Sequence, residues 1–394
     1  MLKSTVHTIA KPLCLLFNRS LKDCLFPCSW KIANVLPLYK KGDPSQVSNY
    51  RPVSLLSCVS KIMERIIFKH LYNYFYENDL FYKYQAGFLP GHSTVYQQIE
   101  TYDHILKAVD QGKSCCMVFC DLSKAFDRVW HEGLLFKLHT YGVTGNFFKW
   151  FDSYLVNRKQ RVLYRNFMST PKPVYTGVPQ GSVLGPLLFL IYVNDIANSM
   201  LTSCRLFADD NSLQHAAFNL HDIECNLNQD LESLESWSKK WLMSFNPSKT
   251  KAIYFSTKKI TDTPILTFQN CELDFVSSHK HLGVTLSNNL TWTVYINSLI
   301  ANAQKKLGLM KKLKFRLNRT SLSLLYTSFI RPQLEYASEV WDGCFSVDSD
   351  RLEKIQLIAA IIVTGLPIFA SRESLYFETG WDTLSCRRQI SRLV

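Results

Sequence analysis

The sequence predicts an α+β fold, an antiparallel sheet of split βαβ connectivity with helices on one face. Three observations carry this. Met117-Val118-Phe119-Cys120-Asp121-Leu122 is an apolar, strand-like run ending on a carboxylate. Cys204 to Ala208 and Asn211-Ser212-Leu213 read as two strands joined by a tight turn, with Asp209 and Asp210 at its tip. Helical patterns separate these pieces from each other and from a last strand at 249–255, giving strand, helix, hairpin, helix, strand. Laid beside the first run, the hairpin is expected to bring Asp121 next to Asp209. Unpaired acids in apolar surroundings are costly unless a cation sits among them. Three acids on two strands suit two Mg²⁺ ions about 3.5–4 Å apart, an arrangement for phosphoryl transfer.

Composition narrows the class. A chain of 394 residues exceeds one typical core, so two or three subdomains are expected. A hydrophobic content of 47% with 20% charged residues excludes a disordered chain. The net charge of +13 favours a polyanionic partner, nucleic acid before anionic membrane. Lys and Arg form no long block, so folding must assemble the basic surface. The twelve cysteines lack CxxC pairs and zinc spacing, and read as reduced thiols of an intracellular protein. No signal peptide is evident, and the longest apolar stretch, Pro186 to Val193, is too short to span a bilayer.

Taken in order, Ile9, Leu13, Leu16, Phe17 and Leu21 have helical spacing. Residues 31–41 read as a strand that turns at Gly42-Asp43-Pro44 and returns through 48–53. A helix follows from Ser57 to Phe75, with Ile62, Ile66, Leu71 and Phe75 on one face. The loop 87–94 supplies a Ser or Thr cap for a helix reaching about Val109. Residues 140–175 hold a helix, a basic loop at 157–161 and a strand-like piece. Thr176-Gly177-Val178-Pro179-Gln180-Gly181-Ser182 is a loop, and an apolar helix runs from Val183 to Asn198. The strongest helical pattern spans Leu220 to Phe245, ended by Asn246-Pro247. Residues 293–365 are mostly helical, and a boundary falls near 287.

Six segments in this order resemble the reverse transcriptases of non-LTR (LINE-type) retrotransposons, most of all the jockey and CR1-like elements. They are Asn49 to Leu56, Gln85-Ala86-Gly87-Phe88, Asp121 to Asp127, Gly177 to Ser182, Phe207-Ala208-Asp209-Asp210, and His281-Leu282-Gly283-Val284. The resemblance implies a right-hand polymerase, divided into a leader helix at 1–19, fingers and palm at 20–287, and a helical thumb with C-terminal extension at 288–394. It implies RNA-templated DNA synthesis from dNTPs onto a primer, with two Mg²⁺ ions or Mn²⁺ in their place.

The resemblance also implies roles. Asp121, the Leu122 carbonyl and Asp209 would hold the metals, and Asp210 would complete the carboxylate set. Phe126 would be an aromatic gate against the ribose 2′-hydroxyl, the alternative being a plain core ring. Gln180 would lie against the incoming nucleotide and template base. It has no evident structural task between Pro179 and Gly181, and Gly181 permits close backbone approach. Lys40 and Arg51 would clamp the triphosphate, with Lys41 an equal candidate. Lys249 would donate a proton to pyrophosphate, the alternative being a strand-edge salt bridge. Phe207 stands where the family often has Tyr. Nothing resembles the endonuclease of complete elements, so the chain is expected to be a fragment. The other reading is a catalytically silent relic that binds RNA. RNA template, DNA primer or target and dNTPs are the expected partners, with no membrane and no stable protein partner. The expected location is nucleus and cytoplasm, as a ribonucleoprotein.

Overall fold

The computed structural model describes residues 4–256 and 262–393. Helix α1 (Val6–Lys22) runs three residues past the expected leader and buries only Phe17 and Ser20. Strands β1 (Ile32–Tyr39) and β2 (Tyr50–Leu55) pair antiparallel across the Gly42-Asp43-Pro44 turn. Helix α2 (Cys58–Glu77) is capped by the Ser57 hydroxyl, which accepts from Ser60 N–H. Its buried stripe is Met63, Ile67, Leu71 and Phe75, while Ile62 and Ile66 are exposed. Stepping back by four from Phe75 and Leu71 leads through 67 and 63, so the expected face is corrected by one position at its N-terminal half. Helix α3 (Thr94–Asp110) takes its cap from Ser93.

Next come β3 (Ser114–Asp121), α4 (His131–Thr140), α5 (Gly145–Leu155), β4 (Arg158–Tyr164), β5 (Phe167–Met168) and β6 (Lys172–Val174). The expected basic loop at 157–161 is thus mostly strand. β4 pairs in parallel with β1. Arg158 is buried and donates to the Tyr154 carbonyl at 3.0 Å, and Arg161 donates to the Asn34 side chain at 2.7 Å. Val162-Leu163-Tyr164 supplies the strand preference that the basic residues hide. β2, β1 and β4, with β5 and β6 attached to β4, form the fingers sheet.

The chain continues as α6 (Leu184–Val193), β7 (Ser203–Phe207), β8 (Asp210–Ala217), α7 (Leu220–Lys240) and β9 (Lys251–Phe255), then short strands β10 (Thr267–Phe268), β11 (Cys271–Glu272) and β12 (Asp274–Phe275). Helix α7 stops five residues before the expected end. Leu242 turns left-handed (φ 53), and 244–246 run beside 121–123. The palm sheet has the order β12-β9-β3-β8-β7, with β3 antiparallel to both β9 and β8. Side chains alternate along β3. Cys116, Val118 and Cys120 enter the core built by α2, α4, α6 and α7. Cys115, Met117 and Phe119 enter a second core on the opposite face. Helices α2, α4, α6 and α7 therefore cover one face, and α3 and the thumb cover the other.

Hairpin β13 (Ser278–His281) and β14 (Val284–Ser287) turns at Leu282-Gly283. Tyr336 O–H, from the thumb, donates to the Leu282 carbonyl at 2.7 Å. The thumb begins with α8 (Thr293–Leu313). It continues through α9 (Arg319–Leu325), α10 (Arg331–Glu335), α11 (Ser338–Trp341), α12 (Ser346–Thr364), α13 (Arg372–Thr379) and α14 (Leu384–Leu393). Ile296, Ile300 and Leu307 of α8 share one core with Met117, Phe119 and Ile253 of the palm. No helix among the described residues is long and apolar enough to cross a membrane.

Candidate active site

The three carboxylates meet at one end of the palm sheet. β7 and β8 are joined by a two-residue loop, Ala208-Asp209, closed by the Phe207–Asp210 pair. Ala208 has φ 57, a value the first position of such tight hairpin loops usually gives to Gly. The register sets Asp121 opposite Asp210. The expectation of Asp209 there is corrected: Asp210 is the first residue of β8, and Asp209 stands one step out in the turn. Asp210 keeps contact with solvent, yet burial of its carboxyl and the charges of Asp209 and Asp121 push it up to about 6, against the pull of Lys40. Four charged groups from fingers and palm thus share one field.

Behind Asp121 the backbone is pinned. Ser123 N–H donates to the Ser244 carbonyl at 2.8 Å, and Asn246 N–H to the Asp121 carbonyl at 2.8 Å. The Leu122 carbonyl accepts from no backbone N–H among the described residues. The turn at 246–249 brings Lys249 Nζ to 3.6 Å from Asp121 Oδ2, with its side chain 68% exposed. The strand-edge ion pair named as the alternative for Lys249 is therefore present, and its partner is a site carboxylate.

On the neighbouring side, Lys124 is left-handed (φ 50), and a single helical turn, Ala125–Arg128, swings Phe126 over the apolar helix α6. The Phe126 ring stacks on Phe189 at 4.6 Å between centroids and meets the edge of Phe88 at 5.9 Å. It is half-buried. The loop 176–182 docks on this turn: Val178 N–H donates to the Phe126 carbonyl at 2.8 Å, and Gly177 N–H to the Val129 carbonyl at 2.7 Å. Gln180 Nε2 donates to Asp127 Oδ1 at 3.0 Å. Gln180 thus has the structural partner that the sequence reading did not see. Burial raises the Asp127 carboxyl above its usual range, and the Gln180 bond opposes the shift. The Gln180 carbonyl accepts from Ser54 N–H at 2.7 Å. Gly181 (φ 123) packs on β2 so closely that a Cβ would lie 2.5 Å from the Ser54 carbonyl oxygen.

Lys40, Lys41 and Arg51 are all exposed on the β1–β2 hairpin. Leu38 pairs with Arg51, and Lys40 N–H donates to the Asn49 carbonyl at 2.9 Å. That register makes Lys40 and Arg51 diagonal neighbours on one face. Lys40 is the member whose charge reaches Asp210. Among the described residues no three His, Cys, Asp or Glu side chains close into a ready-made ligand cage.

A family model described as reverse transcriptase (RNA-dependent DNA polymerase) matches residues 39–286. The chain belongs to the reverse transcriptase family. It is 32% identical over 402 residues to "Probable RNA-directed DNA polymerase from transposon BS" of Drosophila melanogaster, covering 96% of this chain and 43% of that one. It is 29% identical over 367 residues to "RNA-directed DNA polymerase from mobile element jockey" of the same species, covering 90% and 40%. The chain therefore spans about two fifths of the length of these relatives. Among solved structures, apo telomerase from Candida tropicalis superposes with a TM-score of 0.50 at 10% identity, over 98% of this chain and 66% of that one, a likeness of fold. The non-LTR retrotransposon resemblance and the right-hand polymerase fold read from the sequence agree with these findings.

Two features of this reverse transcriptase site went unread in the sequence. One is the 244–246 segment that holds Asp121. Its signal was faint, because Asn246-Pro247 looks like a plain helix stop. The other is Gln85-Ala86-Gly87, visible as a motif but without a role. These residues run beside β7 and touch the Ala208-Asp209 turn.

Proposed function

We propose that this chain is the polymerising part of a non-LTR retrotransposon reverse transcriptase, which adds deoxynucleotides from dNTPs to a primer 3′-hydroxyl under the direction of RNA. The observation that carries this is the Asp121–Asp210 pair beside Asp209, faced by Lys40 from the fingers. The donor set fits a hard divalent cation. Asp121 and Asp209 offer carboxylate oxygens, the Leu122 carbonyl accepts from no backbone N–H among the described residues, and burial together with the neighbouring Asp209 and Asp121 charges raises the Asp210 carboxyl to about 6. Mg²⁺ takes one or two carboxylates, which this donor set can supply, and completes its shell from water and substrate phosphates. Mn²⁺ can replace it in the same oxygen set.

Asp121, Leu122 and Asp209 would hold two ions, which when bound acidify the primer hydroxyl and neutralise the triphosphate. Asp210 sustains the negative field that draws them in. Lys40 and Arg51 grip the triphosphate from one face of the fingers hairpin, with Lys41 beside them. The Phe126 ring, held between Phe189 and Phe88, presents a rigid edge where a ribose 2′-hydroxyl would collide. Gln180 and Gly181 border the nucleotide through a loop tied to β2. Lys249, paired with Asp121 before substrate arrives, is placed to give a proton to the leaving pyrophosphate. The partners follow: RNA template, DNA primer or target, and dNTPs. The twelve free cysteines support a reducing, intracellular setting as a ribonucleoprotein.

Primer extension on an annealed RNA template with dNTPs and Mg²⁺ tests this reading. We expect extension, and none with rNTPs. Salt-sensitive binding of primer–template without extension would instead support the silent RNA-binding relic.

A further inference from the structure

We infer that Gln85 is a positioning residue for the catalytic turn. This role rests on the polymerase reading above. The Gln85 side chain is buried and lies at the free edge of β7. Its amide oxygen accepts two backbone N–H groups, from Gly87 at 2.8 Å and from Ala208 at 3.0 Å. Ala208 is the left-handed residue whose neighbour is Asp209.

The surrounding backbone completes the clamp. Leu206 N–H donates to the Tyr84 carbonyl at 3.0 Å, and Ala86 N–H to the Leu206 carbonyl at 2.9 Å. Residues 84–86 thus extend the palm sheet past β7. Gly87 then lies flat against the turn, where a Cβ would sit 2.2 Å from Ala208 N and 2.8 Å from the Phe207 carbonyl carbon. Without Gln85, the Ala208 N–H of a turn that carries a metal-binding carboxylate would lose its acceptor in a buried place. The amide nitrogen Nε2 is buried and makes no hydrogen bond among the described residues. What the site uses is therefore the acceptor oxygen, at a length that reaches across to the hairpin.

That asymmetry defines the test. Gln85→Met keeps length and loses the acceptor, whereas Gln85→Glu keeps both. Each is compared with the wild-type chain by steady-state primer extension and by amide hydrogen exchange. In the Met variant, exchange at Ala208 and Gly87 rises severalfold while β3 and α6 stay protected. Its kcat falls about tenfold to a hundredfold, the scale of a misplaced catalytic group, with KM for dNTP and primer–template affinity unchanged. In the Glu variant the acceptor remains, and exchange at Ala208 and Gly87 stays at the wild-type level. The inference is overturned if the Met variant keeps wild-type kcat, if its loss tracks a loss of protection across the whole palm, or if exchange at Ala208 and Gly87 rises in the Glu variant as much as in Met. A wild-type chain that extends no primer would count against the polymerase reading, and Gln85 is then judged on turn exchange and calorimetric Mn²⁺ affinity. Faster exchange with weaker Mn²⁺ binding in the Met variant upholds it, and no change in either overturns it.

Discussion

At the scale of single residues, the site depends on a few side chains whose backbones are fixed from outside. Asp121 and Asp210 face each other because the ladder runs to its end, the last residue of β3 against the first of β8. That pairing was not legible in the sequence. The two aspartates look equivalent there, and only the length of the loop decides which one closes the ladder. The structural task of Gln180 went unseen for a similar reason, since its partner Asp127 lies fifty-three positions away. Phe126 was legible as an aromatic near the carboxylate, and its ring contacts now make a prediction. Phe126→Ala loses the stack on Phe189, worth about 0.5–1.5 kcal/mol of stability. It also relaxes the preference for dNTP over rNTP by about tenfold or more. Competing single-nucleotide incorporation reads the second effect. An unchanged preference would leave Phe126 as a core ring only.

At the scale of elements, the helices were easy to find and their edges were not. The α2 stripe was shifted because Ile62 and Ile66 are as apolar as Met63 and Ile67, and only packing separates them. Leu71→Ala is therefore expected to cost about 2–5 kcal/mol by urea unfolding, and Ile66→Ala no more than about 0.5 kcal/mol. Equal costs would contradict the assigned face. Helices α4, α6 and α7 are locked together by Lys137. Its ammonium, buried 3.8 Å from the centre of the Trp241 ring, donates to the Tyr192 carbonyl and pairs with Asp195. Burial lowers its pKa to about 8, with Lys240 adding to the shift and Asp195 opposing it. Unfolded lysine titrates near 10.4. Between these values the unfolded chain holds a proton that the folded chain has released, so this residue's contribution to stability rises with pH from about 8 to 10. Denaturant midpoints of wild type and Lys137→Met at pH 7.5 and 10 check the sign. The difference should move in favour of the wild type at the higher pH.

At the scale of the whole molecule, the order of elements was legible because each motif fixes one strand or turn of the palm. The second core was not legible. Alternation along β3 shows that Cys115, Met117 and Phe119 face away from the first core, but not that α8 comes back to cover them. Palm and thumb share that core, so they are expected to lose protection together. Hydrogen exchange across a urea series should give one midpoint for β3 and α8. Two separate midpoints would mean that the thumb is an independent unit.

The account rests on the carboxylates at the tip of the palm. The most direct test is single-turnover incorporation of one dNTP on a primer annealed to RNA, comparing wild type with Asp121→Asn and Asp209→Asn. The account predicts that each variant loses about a hundredfold or more in rate, as when a group that stabilises the transition-state charge is removed, while primer–template affinity and thermal stability hold. Wild-type rates in either variant would contradict it.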